Sequence, residues 1–284
     1  EPADPDALIP VNVVIAPIMA EPIYYGIDNG IFEKHGLEVA AVDGGFLPAQ
    51  QVPVLLSGDA NIGMTGGLTL LSGITEGLPV KAIRPVLNSS SEVTPDSGFI
   101  VAPGSAITGW GDLSNTTIAI PGLNEMPQLA ISYAVDENGG DSSTIEFIEM
   151  PITNINDAVK NGQVDGALQI STFFGQALGE GFGTLGDPAV EYFDGAPTIQ
   201  MMATNDYIAE NADTIEKFNA AFDEVIDFLN DNPDAIRDIQ REYTELPDVV
   251  IDMAVPPHYF STFDRNAYEN VITEAAAYGF IFDA

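Results

Sequence analysis

The sequence predicts an α/β protein of two lobes, each built on a parallel-rich sheet flanked by helices, on three observations. The chain has 284 residues, 45% of them hydrophobic, which is enough to form two separate cores. Apolar runs typical of buried strands alternate with segments of helical spacing. The polar segment 90–97 marks a crossing between lobes. We therefore predict lobe I from residues 10–95 and 200–284, and lobe II from residues 96–199.

The first lobe opens with a βαβ unit. The apolar run Val11–Ile18 predicts a buried strand, the segment from Pro22 to Gly36 predicts a helical stretch, and Leu37–Val42 predicts a second strand. In open parallel sheets, ligands bind beyond the carboxyl ends of the strands, where helix N-termini present unpaired N–H groups. The turn Met19–Pro22 is therefore the first candidate site.

Two further strands follow in this lobe. Residues 60–65 predict a third strand, after which Gly66 and Gly67 open a helix, and residues 80–87 predict a fourth strand broken by Pro85.

The second lobe repeats the alternation of strands and helices. Strands are expected at 99–102, 116–120, 145–150 and 164–169, with a helix from Met126 to Asn138. Gly179–Pro188 predicts a Gly-rich surface loop, and Thr198–Thr204 a strand that returns to the first lobe. A capping box at residues 213–216 predicts the start of a long amphipathic helix.

Several motifs are typical of one family. They are Ala16-Pro17, Tyr24-Tyr25-Gly26, Gly30-Ile31-Phe32, Gly36-Leu37 and the closing Tyr278-Gly279-Phe280-Ile281. In order and spacing the chain resembles the periplasmic substrate-binding proteins that feed ABC importers for nitrate, sulfonates, taurine and the pyrimidine precursor of thiamine. Asn61 stands where the family usually has Asp, and Gln169-Ile170-Ser171 replaces a frequent Glu-Pro.

The resemblance implies the type II periplasmic-binding-protein fold, with a ligand cleft between the lobes that closes by a hinge. The expected function is capture of a small organic molecule outside the cytoplasmic membrane and its delivery to an ABC permease. Catalysis, cofactors and a metal site are not expected, and the protein is expected to be a monomer. The alternative is an enzyme of the same fold acting on a pyrimidine or another small metabolite.

The candidate ligand-binding residues lie at the predicted strand ends, where pockets of two-lobed proteins collect polar groups. In lobe I they are Met19, Ala20, Glu21, Gly44, Phe46, Thr65, Gly66, Asn88 and Ser89. In lobe II they are Gly122, Asn124, Glu125, Gln169, Ser171 and Thr172. Each of these positions is equally compatible with a solvated turn or a helix cap.

The type of ligand follows from the charges near these positions. No Lys or Arg is among them, and Glu21 and Glu125 would repel an anion. A neutral, zwitterionic or amine-bearing molecule is therefore favoured, with Phe46 as a stacking face and Asn124 and Gln169 as hydrogen-bonding groups. An anion becomes possible if Glu21 instead caps the helix that begins at Pro22.

Motifs of enzymes are absent from the sequence. It contains no Gly-x-Ser-x-Gly elbow, Walker loop, His-Glu-x-x-His or strand-following Gly-x-Gly-x-x-Gly, and it has no Cys. The family's pyrimidine-synthesising relatives use a cysteine-rich motif that this chain lacks. His35 and His258 are interpreted as capping or exposed residues, and Trp110 as a packing residue. An EF-hand is rejected, because Gly140 and Phe147 would occupy ligand positions.

The net charge of −35 excludes nucleic acid and anionic membranes as partners. Self-repulsion of this size favours a saline habitat, and an acidic secreted protein is the competing interpretation. The Pro- and Asp-rich lead Glu1–Pro10 is expected either to be the mature end left by a removed signal or lipoprotein segment, or to result from trimming for expression. The expected location is periplasmic or extracellular, with a lipid anchor as an open alternative.

Overall fold

The computed structural model describes residues 7–16, 19–44 and 51–281. The chain divides into two compact units. Unit 1 comprises Glu1–Leu87, Ile199–Glu245 and Tyr259–Thr262, and unit 2 comprises Asn88–Thr198, Leu246–His258 and Phe263–Ala284.

Within the described residues, ten strands form two five-stranded sheets. The strands are β1 (Ile9–Ile15), β2 (Leu37–Asp43), β3 (Ile62–Gly66), β4 (Val80–Asn88), β5 (Ser97–Val101), β6 (Thr117–Ile120), β7 (Glu146–Glu149), β8 (Gly166–Ile170), β9 (Gly183–Gly186) and β10 (Pro197–Thr204). The order is β2-β1-β3-β10-β4 in one sheet and β7-β6-β8-β5-β9 in the other. Both sheets are mixed: β1 is parallel to β2 and β3, and β6 is parallel to β7 and β8, whereas β10 and β5 run antiparallel to β3 and β8.

Helices flank these sheets. They are α1 (Glu21–Asp28), α2 (Ile31–Lys34), α3 (Gln51–Ser57), α4 (Gly67–Thr75), α5 (Met126–Glu137), α6 (Ile152–Lys160), α7 (Ser171–Gly179), α8 (Pro188–Tyr192), α9 (Asn205–Glu210), α10 (Ala212–Asp231), α11 (Pro233–Tyr243), α12 (Asp248–Met253) and α13 (Arg265–Ala277). Short 3-10 turns lie at Trp110–Leu113 and Ser142–Thr144. The predicted α/β class with two sheets is confirmed.

The two faces of the unit 1 sheet are covered by different helices. Met201 packs in a core cluster with the apolar face of α10, including Phe218 and Phe222. The next residue, Met202, packs on the opposite face with Leu55 of α3 and Leu70 of α4. Because side chains alternate along a strand, this places α3 and α4 on one face and α1 and α10 on the other.

The predicted inward face of α10 is confirmed, but the predicted capping box is wrong. The six apolar residues Ile215, Phe218, Phe222, Val225, Ile226 and Leu229 are buried in the unit 1 core. However, α10 already begins at Ala212, after Asn211. Asp213 therefore lies inside the first turn, where it forms an exposed ion pair with Lys217 at 2.8 Å instead of capping the helix.

Two local predictions about strands are corrected by sheet pairing. The segment Gly179–Pro188 is not only a loop, because Gly183–Gly186 forms β9 and pairs antiparallel with β5. Pro85 does not break the fourth strand, since β4 runs continuously from Val80 to Asn88. β4 is the last strand of its sheet, and edge strands tolerate proline because its missing N–H faces no partner strand.

The units differ from the predicted lobes in three segments and at residue 199, which lies in unit 1. Residues 88–95 and the segments 246–258 and 263–284 belong to unit 2, whereas the prediction assigned them to lobe I. α12 packs so closely on α7 that a Cβ on Gly175 would lie 2.2 Å from the carbonyl oxygen of Met253. α13 is continued by Tyr278, whose hydroxyl donates to Asp136 of α5 at 2.8 Å. These tertiary contacts leave no signal in local composition.

Candidate functional site

In unit 1, β1 lies between β2 and β3, and the connections from β1 to β2 and from β2 to β3 run on opposite faces of the sheet. α1 and α2 connect β1 to β2 on one face, and α3 precedes β3 on the other. This is a topological switch point, the place where open α/β sheets bind ligands beyond their strand ends. β1 pairs with β3 only at Val13↔Ile62 and Val14↔Gly63. The two strands therefore separate just before their carboxyl ends.

Gln51 occupies the gap between these strands. Its Oε1 accepts a hydrogen bond from the backbone N–H of Met64 at 3.0 Å, one residue beyond the last pair with β1. Gln51 is fully buried, one helical turn before Leu55 on the buried face of α3. Sequence reasoning missed this residue. The available signal was a polar residue that opens the helix leading to the predicted third strand.

Thr65 and Gly66 lie where the sequence predicted them, at the carboxyl end of β3. Thr65 is fully buried, and it pairs across the sheet with the buried Gln200 of β10. Since residues paired across strands share a face, and Gln200 alternates with Met201, both side chains face the α3 and α4 side. Gly66 is the N-cap of α4 and supplies no side-chain cap. The first N–H groups of α4, which begins at Gly67, are therefore left uncapped by a side chain two residues after Thr65.

The turn from Met19 to Glu21 is occupied by packing within unit 1. Ala20 is fully buried, and Met19 packs against the core. Glu21 is 2% exposed and accepts hydrogen bonds from Nε2 of Gln240 at 2.8 Å and from the hydroxyl of Tyr259 at 3.3 Å. Glu21 therefore holds α1 to other parts of its own unit. It does not cap the helix, since the N-cap is Ala20 without a side-chain cap.

Gly44, the candidate residue after β2, lies where there is no room for a larger side chain. A Cβ on Gly44 would lie 2.3 Å from Cγ2 of Val14, and the backbone N–H of Gly44 donates to the carbonyl of Ile15 at 2.9 Å. Any larger residue would displace the side chain of Val14. Phe46, the predicted stacking residue, lies outside the described residues.

Ser89 forms hydrogen bonds within unit 2. It is 3% exposed, and its hydroxyl donates to the carbonyls of Phe193 at 2.6 Å and Ala196 at 3.2 Å. Asn88 is the half-buried last residue of β4.

Unit 2 has its own switch point between β6 and β8. β6 pairs with β8 at Ile118↔Gly166 and Ala119↔Ala167, and α5 and α6 follow β6 and β7. Gln169 is fully buried at the carboxyl end of β8, and both ends of its amide are bonded. Nε2 donates to the carbonyl of Ile152 at 3.0 Å and to Oδ1 of Asn156 at 2.9 Å, and Oε1 accepts from its neighbour's N–H. The predicted ligand contact is thus used internally.

The turns after β6 and β8 contain residues with left-handed backbone angles. Asn124 has φ of 59° and is exposed, and its N–H donates to Oε1 of Gln128 at 2.8 Å. Gly122 is buried beneath Glu125, the N-cap of α5. Ser171 has φ of 53° and donates its N–H to the carbonyl of Asp96 at 2.7 Å, next to the buried Thr172. Non-glycine residues in this region are uncommon and mark specialised turns.

Asp96 adds a titratable group to this end of unit 2. Loss of hydration on burial, followed by the negative charge of Asp187, raises the pKa of Asp96 to about 6. Asp187 caps α8 through the N–H of Ala189, at 2.8 Å, and also accepts from the hydroxyl of Ser97. The sequence did not single out this pair.

Arg84 and Trp110 form packing contacts and hydrogen bonds within their own units. Arg84 is buried, donates to Asp223 at 2.7 Å and lies 4.3 Å from the ring centre of Phe222. Trp110 is 5% exposed, as predicted, and donates to Glu191 at 2.9 Å.

The two histidines lie in different surroundings. His35 ends α2, as the capping interpretation predicted, and contacts Glu224 at 3.1 Å. Burial lowers the pKa of His258. Across residues 7–16, 19–44 and 51–281, no three His, Asp or Glu side chains are grouped to hold a metal ion.

Comparison with known proteins identifies the family. A family model described as NMT1/THI5 like matches residues 19–236. The chain belongs to this family. The resemblance to solute-binding proteins that the sequence motifs indicated is thereby confirmed. No protein among the curated sequences matches the chain.

Solved structures show the fold of this family member. The periplasmic aliphatic sulphonate binding protein SsuA from Escherichia coli is 15% identical with a TM-score of 0.80, and the match covers 98% of this chain and 95% of SsuA. A putative sulfonate ABC transporter protein, the periplasmic sulfonate-binding SsuA from Methylobacillus flagellatus KT, is 16% identical with a TM-score of 0.72. The match covers 96% of this chain and 88% of that protein. The periplasmic nitrate-binding protein NrtA from Synechocystis PCC 6803 is 12% identical with a TM-score of 0.74. The match covers 98% of this chain and 83% of NrtA. The fold is therefore that of type II periplasmic binding proteins.

Proposed function

We propose that this protein is an extracytoplasmic solute-binding protein that captures a small organic molecule and delivers it to an ABC importer. The observation that carries the proposal is the repeated switch point. Each unit separates two parallel strands at their carboxyl ends and follows each with a polar turn or a helix N-terminus. Family membership and the full-length likeness to transport proteins support this function.

Each unit has its own candidate ligand contacts in this proposal. In unit 1 they come from Thr65, Gly66 and the start of α4, and in unit 2 from the turns at Asn124 and Ser171. Met19, Ala20, Glu21, Gly44, Ser89 and Gln169 are replaced as candidates, because their atoms are engaged in packing or hydrogen bonds within their own units.

The proposed location is periplasmic or extracellular, and the proposed partner is an ABC permease. The named structural relatives are periplasmic, and one of them is described as part of an ABC transporter. No helix in the part of the chain that the structure describes has the length and apolarity to span a bilayer. A monomeric state is a further part of the proposal, and a lipid anchor stays an open alternative.

The function is tested by releasing bound molecules from a native preparation with denaturant and identifying them by mass spectrometry. Thermal shifts are then measured with the released compound, taurine, alkanesulfonates, nitrate and aminopyrimidines. We expect one solute class to raise the melting temperature and to be recovered unchanged after incubation. Conversion of the bound compound would support the enzyme alternative, and a preparation in which no solute binds would overturn the proposal.

A further inference from the structure

We propose that unit 1 binds the hydrogen-bond-accepting oxygen of the ligand through Nε2 of Gln51 and the hydroxyl of Thr65. The inference rests on the proposed solute-binding function and names the ligand chemistry that unit 1 selects. It adds Gln51 as a binding residue and excludes a group that can only donate hydrogen bonds, such as an ammonium, from this position.

The first step is the orientation of the Gln51 amide. A backbone N–H can only donate, so the atom of Gln51 that meets Met64 N must be the oxygen. Nε2 is therefore the other end of the amide, and it carries two N–H groups. It is buried, and no atom of the described residues accepts a hydrogen bond from it.

The second step is the hydroxyl of Thr65. Thr65 is also fully buried, and within the described residues its Oγ1 has no hydrogen-bond partner. Buried polar groups are paired in most proteins, so two such atoms in one unit require an explanation. A ligand that supplies the missing partner provides one.

The third step is position. Gln51 bonds to Met64, the residue before Thr65, where β3 has already separated from β1. Both atoms are therefore at the unit 1 switch point, on the face covered by α3 and α4. The first N–H groups of α4 follow two residues after Thr65, and they add donors to the same end of β3. A set dominated by N–H and O–H donors calls for an acceptor.

Glu21 does not contradict this assignment. Its carboxylate accepts from Gln240 and Tyr259, and Gln240 lies on α11, which packs in the core cluster on the opposite face of the sheet. The preference for an amine-bearing ligand that the sequence suggested is therefore replaced, for unit 1, by a preference for an acceptor oxygen.

The test compares four probes that share a butyl chain: butanoate and butane-1-sulfonate as oxyanions, butan-2-one as a neutral acceptor, and n-butylammonium as a donor. Binding to the whole protein is measured by saturation-transfer NMR and calorimetry. We expect one or more acceptor probes to bind and n-butylammonium not to bind. The oxyanions and the ketone distinguish a charged from a neutral acceptor. Binding of n-butylammonium as tightly as the acceptor probes would overturn the inference.

Variants locate the effect. Gln51→Glu keeps an oxygen for Met64 N but replaces the N–H donors with a second oxygen, and Thr65→Val removes the hydroxyl at nearly constant shape. Each is expected to weaken binding of the acceptor probe by about tenfold or more, because a buried acceptor would be left without its donor. Thr65→Ser should restore binding. Thr214→Val, which removes a buried hydroxyl from α10 of the same unit, serves as the matched control and should bind like the wild type.

The outcomes separate this inference from the proposed function. Wild-type affinity in both folded variants, checked by circular dichroism, overturns the inference and leaves the function intact. If none of the four probes binds, the inference is withdrawn, whereas the function fails only if the wider solute panel also shows no binding. Should Gln51→Glu not fold, the Thr65→Val and Thr65→Ser pair decides by itself.

Discussion

The two units place different polar residues at the same structural position. Thr65 of β3 lies two residues beyond the last pair with β1, and Gln169 of β8 lies two residues beyond the last pair with β6. Each is followed two residues later by a helix. In unit 2 the amide at this position is bonded at both ends within the unit. In unit 1 the hydroxyl of Thr65 and Nε2 of Gln51 have no partner among the described residues. Matching backbones therefore hold an internally bonded amide in unit 2 and, in unit 1, two polar groups for which we propose a ligand as the partner.

Salt should have the largest effect on stability. The effect should differ between the units, because they carry different numbers of cations. Six of the eight cations, Lys34, Lys81, Arg84, Lys217, Arg237 and Arg241, are in unit 1, and Lys160 and Arg265 are in unit 2. Raising NaCl from about 0.1 M to about 1 M shortens the screening length from about 10 Å to about 3 Å. We expect the melting temperature to rise, with a larger gain in hydrogen-exchange protection in unit 2. A melting temperature independent of salt would contradict the saline habitat.

Removing the buried amide should cost more stability in unit 2 than in unit 1. Gln169→Leu leaves the carbonyl of Ile152, Oδ1 of Asn156 and the N–H of Ile170 without this partner, so we expect a loss of about 3 kcal/mol. Gln51→Leu removes only the bond to Met64 N, for a loss of about 1 kcal/mol. Urea denaturation without ligand measures both. Equal losses would contradict the division of roles.

Asp96 should make the stability of unit 2 depend on pH. The folded protein keeps this proton up to about pH 6, whereas an unfolded Asp releases it near about 3.9. The folded state therefore binds the extra proton between these values, and its stability falls as the pH rises from about 4 to about 6. Asp96→Asn should gain about 2 kcal/mol at pH 7 and nothing at pH 3. Denaturation of both proteins across this range isolates the effect, and parallel curves would argue against it.

The smallest expected change is the most diagnostic for unit 1. Thr65→Val should leave the stability of the ligand-free protein unchanged or raise it by less than about 1 kcal/mol, because the lost hydroxyl has no hydrogen-bond partner in the part of the chain that the structure describes. Calorimetric melting with and without a bound solute checks this, and we expect the ligand-dependent stabilisation to shrink. A clear destabilisation without ligand would show that the hydroxyl is used within the protein.

Much of the fold could be predicted because its signals are local. The buried strands β1, β2, β3 and β10 are apolar runs, and α10 carries its core face at helical spacing. β9 was not predicted, because Gly183–Gly186 shows no alternation of apolar and polar residues and becomes a strand only by pairing with β5. The hydrogen bonds of the polar residues at the strand ends were predicted less well, and the candidate ligand contacts stay a prediction. Thr65 and Gly66 were placed at the carboxyl end of β3, but Gln51 was missed and Glu21 was assigned to a ligand.

The sequence by itself determined the order of strands and helices, the turns after the strands and the strongly acidic surface, because these depend on residue type and on neighbours along the chain. The tertiary structure decided which polar side chains at those turns are already bonded. Glu21 meets Gln240 and Tyr259, Gln51 meets Met64, and Gln169 meets Ile152 and Asn156. A hydrogen bond joins atoms that folding brings together, so the donors of unit 1 that lack a partner among the described residues could be recognised only once their neighbours were in place.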